Sequence, residues 1–201
     1  MLSPFIYLTA FTRGLSPASL VWDIPASLPA GLEGFGNLDS TFHGPMRIRT
    51  AFTHDYVVPI LSTLRQIGAA NAWRASVQSG LDSLSQSSNE EGYAPLIDTG
   101  QVSLLELTHA FGMFANQGNL LGATASDSGS FDAILILEAV DGSGQVWPVQ
   151  QPENRVVTTP QLAYLVTNML GDEAAWQETL GNPNPFQISR PVAAKMGVGL
   201  T

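Results

Sequence analysis

Few side chains in this sequence can do chemistry, and they stand far apart. The histidines are His43, His54 and His109. None lies three or four residues from another, the spacing that puts two imidazoles on one helix face to hold zinc. Cysteine is absent, which removes disulfides, thiolate metal sites and a cysteine nucleophile. No metal or organic cofactor is implied. His54 is followed directly by Asp55, but adjacent side chains rarely face each other as a base and its orienting carboxylate must. His109 falls inside a helical pattern and reads as structural. Neither a G-x-S-x-G elbow nor a phosphate-binding loop occurs. Gly34 and Gly36 flank Phe35 with no strand before them and no helix after, so they read as turn formers. Lys195 is different. It is the sole lysine, set in the apolar run Arg190–Gly197. A lysine there costs desolvation energy unless it finds a partner or faces a cleft. Gly197, two residues on, would let a ligand approach the backbone. Two readings stay open: a snorkelling edge-strand lysine, and a ligand-facing one.

The elements that must position these residues are mostly helical. Residues 4–13 form an apolar helix with Pro4 in its first turn and Gly14 at its end. Residues 15–44, rich in Gly and Pro, read as a long irregular segment, a type that usually carries function or covers something. Pro45–Phe52 looks helical and leads by a helix–turn–helix into 59–68. There Ile60, Leu61, Leu64 and Ile67 have the spacing of a buried face. A short helix over 70–79 turns Trp73 and Val77 inward. Residues 85–92 are a polar loop. Ser103 and Glu106 have capping-box spacing ahead of a helix with an apolar stripe of Leu104, Leu107, Phe111 and Phe114, stopped by Gly118. A small-residue loop covers 123–131. Ala133–Val140 and Gln145–Val149 read as a β-hairpin, its first arm apolar on both faces and so expected between other elements. Thr159 and Pro160 open a helix carrying Leu162, Leu165, Val166 and Met169. Asp172 caps another through Trp176. Arg190–Val198 is expected to be extended.

Composition excludes several classes of function. Hydrophobic residues make up 44% of the 201, charged residues only 12%, and the formal net charge is −9. Seven arginines and one lysine, scattered, form no phosphate-binding stripe, so nucleic acid is not an expected partner. No apolar run reaches membrane-spanning length. The first residues lack the basic start of a secretory signal. Gly197–Thr201 reads as a strand cut in mid-run, so the chain is expected to be a fragment.

Several segments, in order, resemble the transpeptidase domain of class A, bifunctional penicillin-binding proteins. Pro4–Phe11 is similar to the K-P-F-x-Y-L-x-A-F stretch that follows the catalytic Ser-x-x-Lys. Ser16–Ser19 with Trp22 and Asp23 resembles T-P-A-S…D. Asn37–Asp39 and Phe42–Ala51 resemble the approach to the second motif, N-x-D…F-x-G-x-V-x-x-R-x-A-L. Gln101–Thr108 and Phe114–Gly118 resemble V-x-x-L-x-L-T…F-A-N-x-G. Arg190–Gly197 resembles R-P-x-A-x-K-T-G, the third motif.

The resemblance implies an α+β fold of the penicillin-binding and serine β-lactamase type. This chain would hold mainly the helical part, a β-hairpin and the opening of the third-motif strand. It also implies residues 1–201 as a partial domain, truncated before the catalytic serine and after that strand. The family's chemistry is serine acyl transfer on a peptidoglycan stem peptide or a β-lactam. This chain departs from it at every chemical position. Ser3 stands where the first-motif lysine belongs, and the nucleophile would fall before Met1. Asp55-Tyr56-Val57 occupies the Ser-x-Asn slot, where valine cannot bond a substrate amide. Lys195-Met196-Gly197 replaces Lys-Thr-Gly, losing a hydroxyl. The expected substrate-binding positions are therefore Lys195, Gly197, Met196, Asp55, Tyr56 and Val57, with no intact catalytic set. The expected activity is nil, with weak binding of a stem peptide or β-lactam at best. The other reading is a non-catalytic binding or scaffolding module, with cell-wall assembly proteins as partners. An extracytoplasmic location follows from the family alone.

Overall fold

The computed structural model describes residues 2–32, 34–86, 93, 102–125, 129–147 and 151–195. Its centre is helix α1, Ser3–Thr12, in which every residue from Ser3 to Phe11 is buried. A helix that is apolar all round has no face to give to water and must be enclosed. Here α3 (Val57–Ile67), α4 (Ala69–Gln78) and α6 (Pro160–Leu170) enclose it. The Phe5 ring meets those of Phe111 and Phe114 at 5.9 and 5.4 Å, bringing in α5 (Leu104–Ala115).

Local signals explain the helix ends. Ser103 accepts the Glu106 N–H while the Glu106 carboxylate accepts the Ser103 N–H, a complete capping box. Thr159 and Asp172 cap α6 and α7 (Glu173–Leu180) with their side chains. Gly68 and Gly118 close α3 and the turn after α5 at φ +82° and +90°, where other L residues are strained. At Gly118 a Cβ would also fall 2.3 Å from the Thr158 carbonyl oxygen.

The strands are short and antiparallel. β1 (Leu20–Asp23) pairs with β2 (Gly44–Arg47), Val21 opposite Met46. β3 (Asn119–Thr124) lies between β4 (Phe131–Asp132) and β7 (Glu153–Val156). β5 (Ala139–Val140) and β6 (Val146–Trp147) form a separate hairpin.

Several expectations need correcting. The segment 15–44 is not wholly irregular, because Leu20–Asp23 is a strand. The helix expected over 45–52 begins only at Ile48, as α2 (Ile48–Thr53). The proline disfavours helical backbone just before it, and pairing with β1 holds 44–47 extended. The loop expected over 123–131 contains the end of β3 and the start of β4. Leu104 is 79% exposed and lies off the buried stripe of α5, which is Ala110, Met113 and Phe114. The first hairpin arm is not sandwiched: Leu135, Ile136 and Leu137 are 71, 62 and 79% exposed. Residues 190–195 join no strand ladder. The polar loop over 85–92 lies largely outside the described residues, as does the end of the hairpin. No described helix is long and apolar enough to cross a membrane.

Candidate functional site

The site is built on the tight turn between α2 and α3. Asp55 adopts φ +56°, a left-handed backbone that Asp tolerates better than most side chains. The turn is closed by the Tyr56 N–H donating to the Ala51 carbonyl at 3.1 Å. Tyr56 then takes an extended backbone as the residue before α3.

From the far end of the sequence, residues 190–195 run along α6, held by the Ala194 N–H on the Leu170 carbonyl at 3.0 Å. This carries Lys195 to the turn, where its ammonium forms an ion pair with the Asp55 carboxylate. The Lys195 side chain is 10% exposed and that of Asp55 is 25% exposed. The Phe52 ring lies beneath the ammonium, 5.3 Å from Nζ to its centroid, within cation–π range. Burial pushes the Lys195 pKa below the ordinary lysine range, and the Asp55 charge pulls it partly back. The same carboxylate, after burial itself, helps push the phenol of fully buried Tyr7 far above its usual value. The cavity touching Lys195, between Phe52, Met169, Trp176 and Phe186, measures about 20 Å³. That is room for one water.

The Tyr56 ring, next along the turn, stacks with two imidazoles. His43 stacks on it at 4.1 Å between centroids and His54 at 5.3 Å. His43 is fixed in turn by the fully buried Asp23. The Asp23 carboxylate accepts from the Asn37 amide at 2.9 and 2.8 Å and from the His43 N–H at 3.0 Å, and meets His43 Nδ1 at 2.7 Å. The Asn37 side-chain oxygen accepts the Val58 N–H at 3.3 Å, which ties the network to the start of α3. His43 Nε2 lies 3.0 Å from Asp39, whose carboxyl is held below its usual range chiefly by the Thr41 N–H. A buried carboxylate needs such a set of donors.

The structure thus brings Asp55 and Lys195 into contact. It places Tyr56 on the same turn with its ring against His43 and His54. Val57, the first residue of α3, belongs to the hydrophobic core. Ser3 is 1% exposed and its hydroxyl has no hydrogen-bond partner. Met196 and Gly197 lie outside the described residues. His54 does not face Asp55 as a base would: its Nδ1 lies 3.0 Å from the Thr50 carbonyl and its Nε2 3.8 Å from Glu178. His109 is structural, Nε2 meeting the Leu121 carbonyl at 2.7 Å. No group of three His, Asp or Glu that could hold a metal occurs among the described residues. Sequence reading did not anticipate the Asp23–Asn37–His43 cluster. Asp23 and Asn37 lie in the segment read as irregular, where a polar residue gives no sign of burial.

Comparisons with known proteins agree with the architecture. No family model matches the chain. Penicillin-binding protein 1A of Neisseria cinerea is 28% identical over 120 residues, covering 57% of this chain and 15% of that protein. The crystal structure of penicillin-binding protein 1A from Haemophilus influenzae superposes with a TM-score of 0.66 at 18% identity, over 85% of this chain and 28% of that one. The penicillin-binding protein PonA1 from Mycobacterium tuberculosis gives a TM-score of 0.68 at 15% identity, over 90% of this chain and 49% of that one. PonA1 has also been solved in complex with penicillin V. The chain's curated homologues are class A penicillin-binding proteins, and its fold is the mixed helix-and-sheet fold of their transpeptidase domains. The chain spans less than a sixth of the curated relative's length.

Proposed function

We propose that this chain is part of a penicillin-binding transpeptidase-like domain that performs no serine acyl transfer and serves as a non-catalytic binding or scaffolding module in cell-wall assembly, at the extracytoplasmic face of the envelope. The observation that carries this reading is the Asp55–Lys195 ion pair. In the family the third-motif lysine attracts the substrate carboxylate. Here a carboxylate of the protein itself, at the first position of the second-motif slot, already occupies the ammonium. An incoming anion must displace Asp55 or bind against its charge.

The other positions support the same reading. At the first-motif lysine position stands Ser3, whose buried hydroxyl cannot accept a proton near neutral pH as a general base must. This argument does not depend on what precedes Met1, since a serine upstream would still lack its base. Val57 is packed into the core instead of presenting an amide to a groove. Cell-wall assembly proteins are the expected partners, and no cofactor is invoked.

Calorimetry with a stem-peptide analogue ending in a free carboxylate tests this reading. The wild-type chain is expected to bind no tighter than about millimolar, roughly 4 kcal/mol. Asp55→Asn frees the ammonium and should tighten binding about tenfold, and Lys195→Ala should remove it. Micromolar binding that survives Lys195→Ala would overturn the assignment.

A further inference from the structure

At the end of α1 away from Ser3, a second cavity opens between α1, α4 and the residues that follow β7. It measures about 250 Å³, and its walls include Leu8, Arg13, Asn71, Arg74, Gln78 and Thr158. The chain has eight basic residues against seventeen acidic ones, yet two of the eight line this one cavity. Neither guanidinium has a carboxylate within 4.0 Å among the described residues. Arg74 is braced on its own helix, Nη2 donating to the Asn71 side-chain oxygen at 2.6 Å and Nε to the Ala70 carbonyl at 3.2 Å. That bracing uses some of its donors and fixes the direction of the rest. In the wall, Thr158 is 9% exposed and its hydroxyl has no hydrogen-bond partner.

Two like charges sharing a cleft repel each other, and in so acidic a chain carboxylates to neutralise them are plentiful. Their absence here among the described residues leaves the fork-shaped guanidinium donors open to a ligand. Those donors match the paired oxygens of a carboxylate or phosphate. Leu8, Ala75 and Val157 add apolar wall, suited to a short aliphatic body behind the anionic group. The volume lies just below the usual range for drug-sized ligands, so the occupant is small. We propose that this cavity is a binding site for a small ligand bearing a carboxylate or phosphate group, held by Arg13 and Arg74. It is independent of the Lys195 region and of the function assigned there.

The test titrates the 201-residue chain at low ionic strength with inorganic phosphate and, separately, with succinate, followed by calorimetry. At least one of the two should bind saturably at one site. Arg13→Gln and Arg74→Gln should each weaken that binding at least tenfold, while Arg65→Gln, on an arginine outside the cavity, leaves it unchanged. Binding of phosphate alone assigns a phosphate-bearing ligand, and binding of succinate alone a carboxylate. Arg13 is exposed at the helix end and its side chain braces nothing among the described residues, so Arg13→Gln remains informative should Arg74→Gln disturb α4. Failure of both anions to saturate, wild-type affinity in Arg13→Gln, or an equal loss in Arg65→Gln would overturn the proposal.

Discussion

Lys195 keeps a tenth of its side-chain exposure and Asp55 a quarter, so removing one partner or the other has unequal consequences. Asp55→Asn strands an ammonium that water can barely reach. The substitution leaves the backbone undisturbed, because Asn also tolerates the left-handed conformation at this turn. We expect a loss of about 2 kcal/mol, below the 3–5 kcal/mol of a fully enclosed pair because water still reaches one side. Lys195→Met leaves a carboxylate that can turn to solvent and should cost less than about 1 kcal/mol. Urea denaturation of both variants checks the order, and a larger loss in Lys195→Met would contradict it. The pair also carries a pH signature. The folded-state pKa of Lys195 lies below its unfolded value, so between the two the unfolded chain binds more protons. Stability contributed by this group therefore rises with pH across that alkaline window. Lys195→Met should remove that slope. Lys195 was legible in the sequence as an odd lysine in an apolar run. Its partner was not, because no periodicity links a turn near residue 55 to a segment near residue 195.

The helices were legible wherever a side chain marks the end and an apolar stripe marks the face. Ser103 and Glu106 announce α5, and the structure adds a second role for Glu106. Its carboxylate also accepts the Ser83 N–H at 2.7 Å and the Ser83 hydroxyl at 3.0 Å, which ties the 3₁₀ turn Asp82–Gln86 to the start of α5. Partial burial pushes the Glu106 pKa up, and the donors from Ser103 and Ser83 together outweigh it, so the net shift is downward. A lowered folded pKa gives stability that is present above the unfolded value of about 4.3 and lost as pH falls through the folded one. Glu106→Gln should therefore cost about 1 kcal/mol near neutral pH, a typical cap contribution. The difference from wild type should close in acid. A gap that persists in acid would show that the charge is not what matters. The strands were poorly legible for a physical reason. β4 is two residues long, too short for alternation to register, whereas the expected hairpin forms, but only as the two-residue pair β5–β6. β2 and β7 are held by partners distant in sequence, not by their own propensity. The exposed run Leu135–Leu137 misled for a related reason, since an apolar run states a need for burial but not whether the fold meets it.

At the scale of the molecule, a buried helix carries Ser3 at one end and a cleft with two arginines near the other, while distant segments converge on the Asp55 turn. The Asp23–Asn37–His43 cluster pins that turn through the stacked ring of Tyr56. On the proposed reading the chemistry of the family's site is replaced, with Ser3 standing for the base, Val57 for the amide and Asp55 for the substrate's carboxylate. The proposed function therefore joins this fold to a loss of acyl transfer. Intact-mass spectrometry after incubation with a β-lactam tests for that loss. It should be done on the gene product that contains this chain, together with whatever residues flank it there, so that an upstream serine is given its chance. No mass increment is expected, because an activated serine nucleophile requires a base that Ser3 cannot supply. A stable increment of one β-lactam, surviving denaturation, would contradict it.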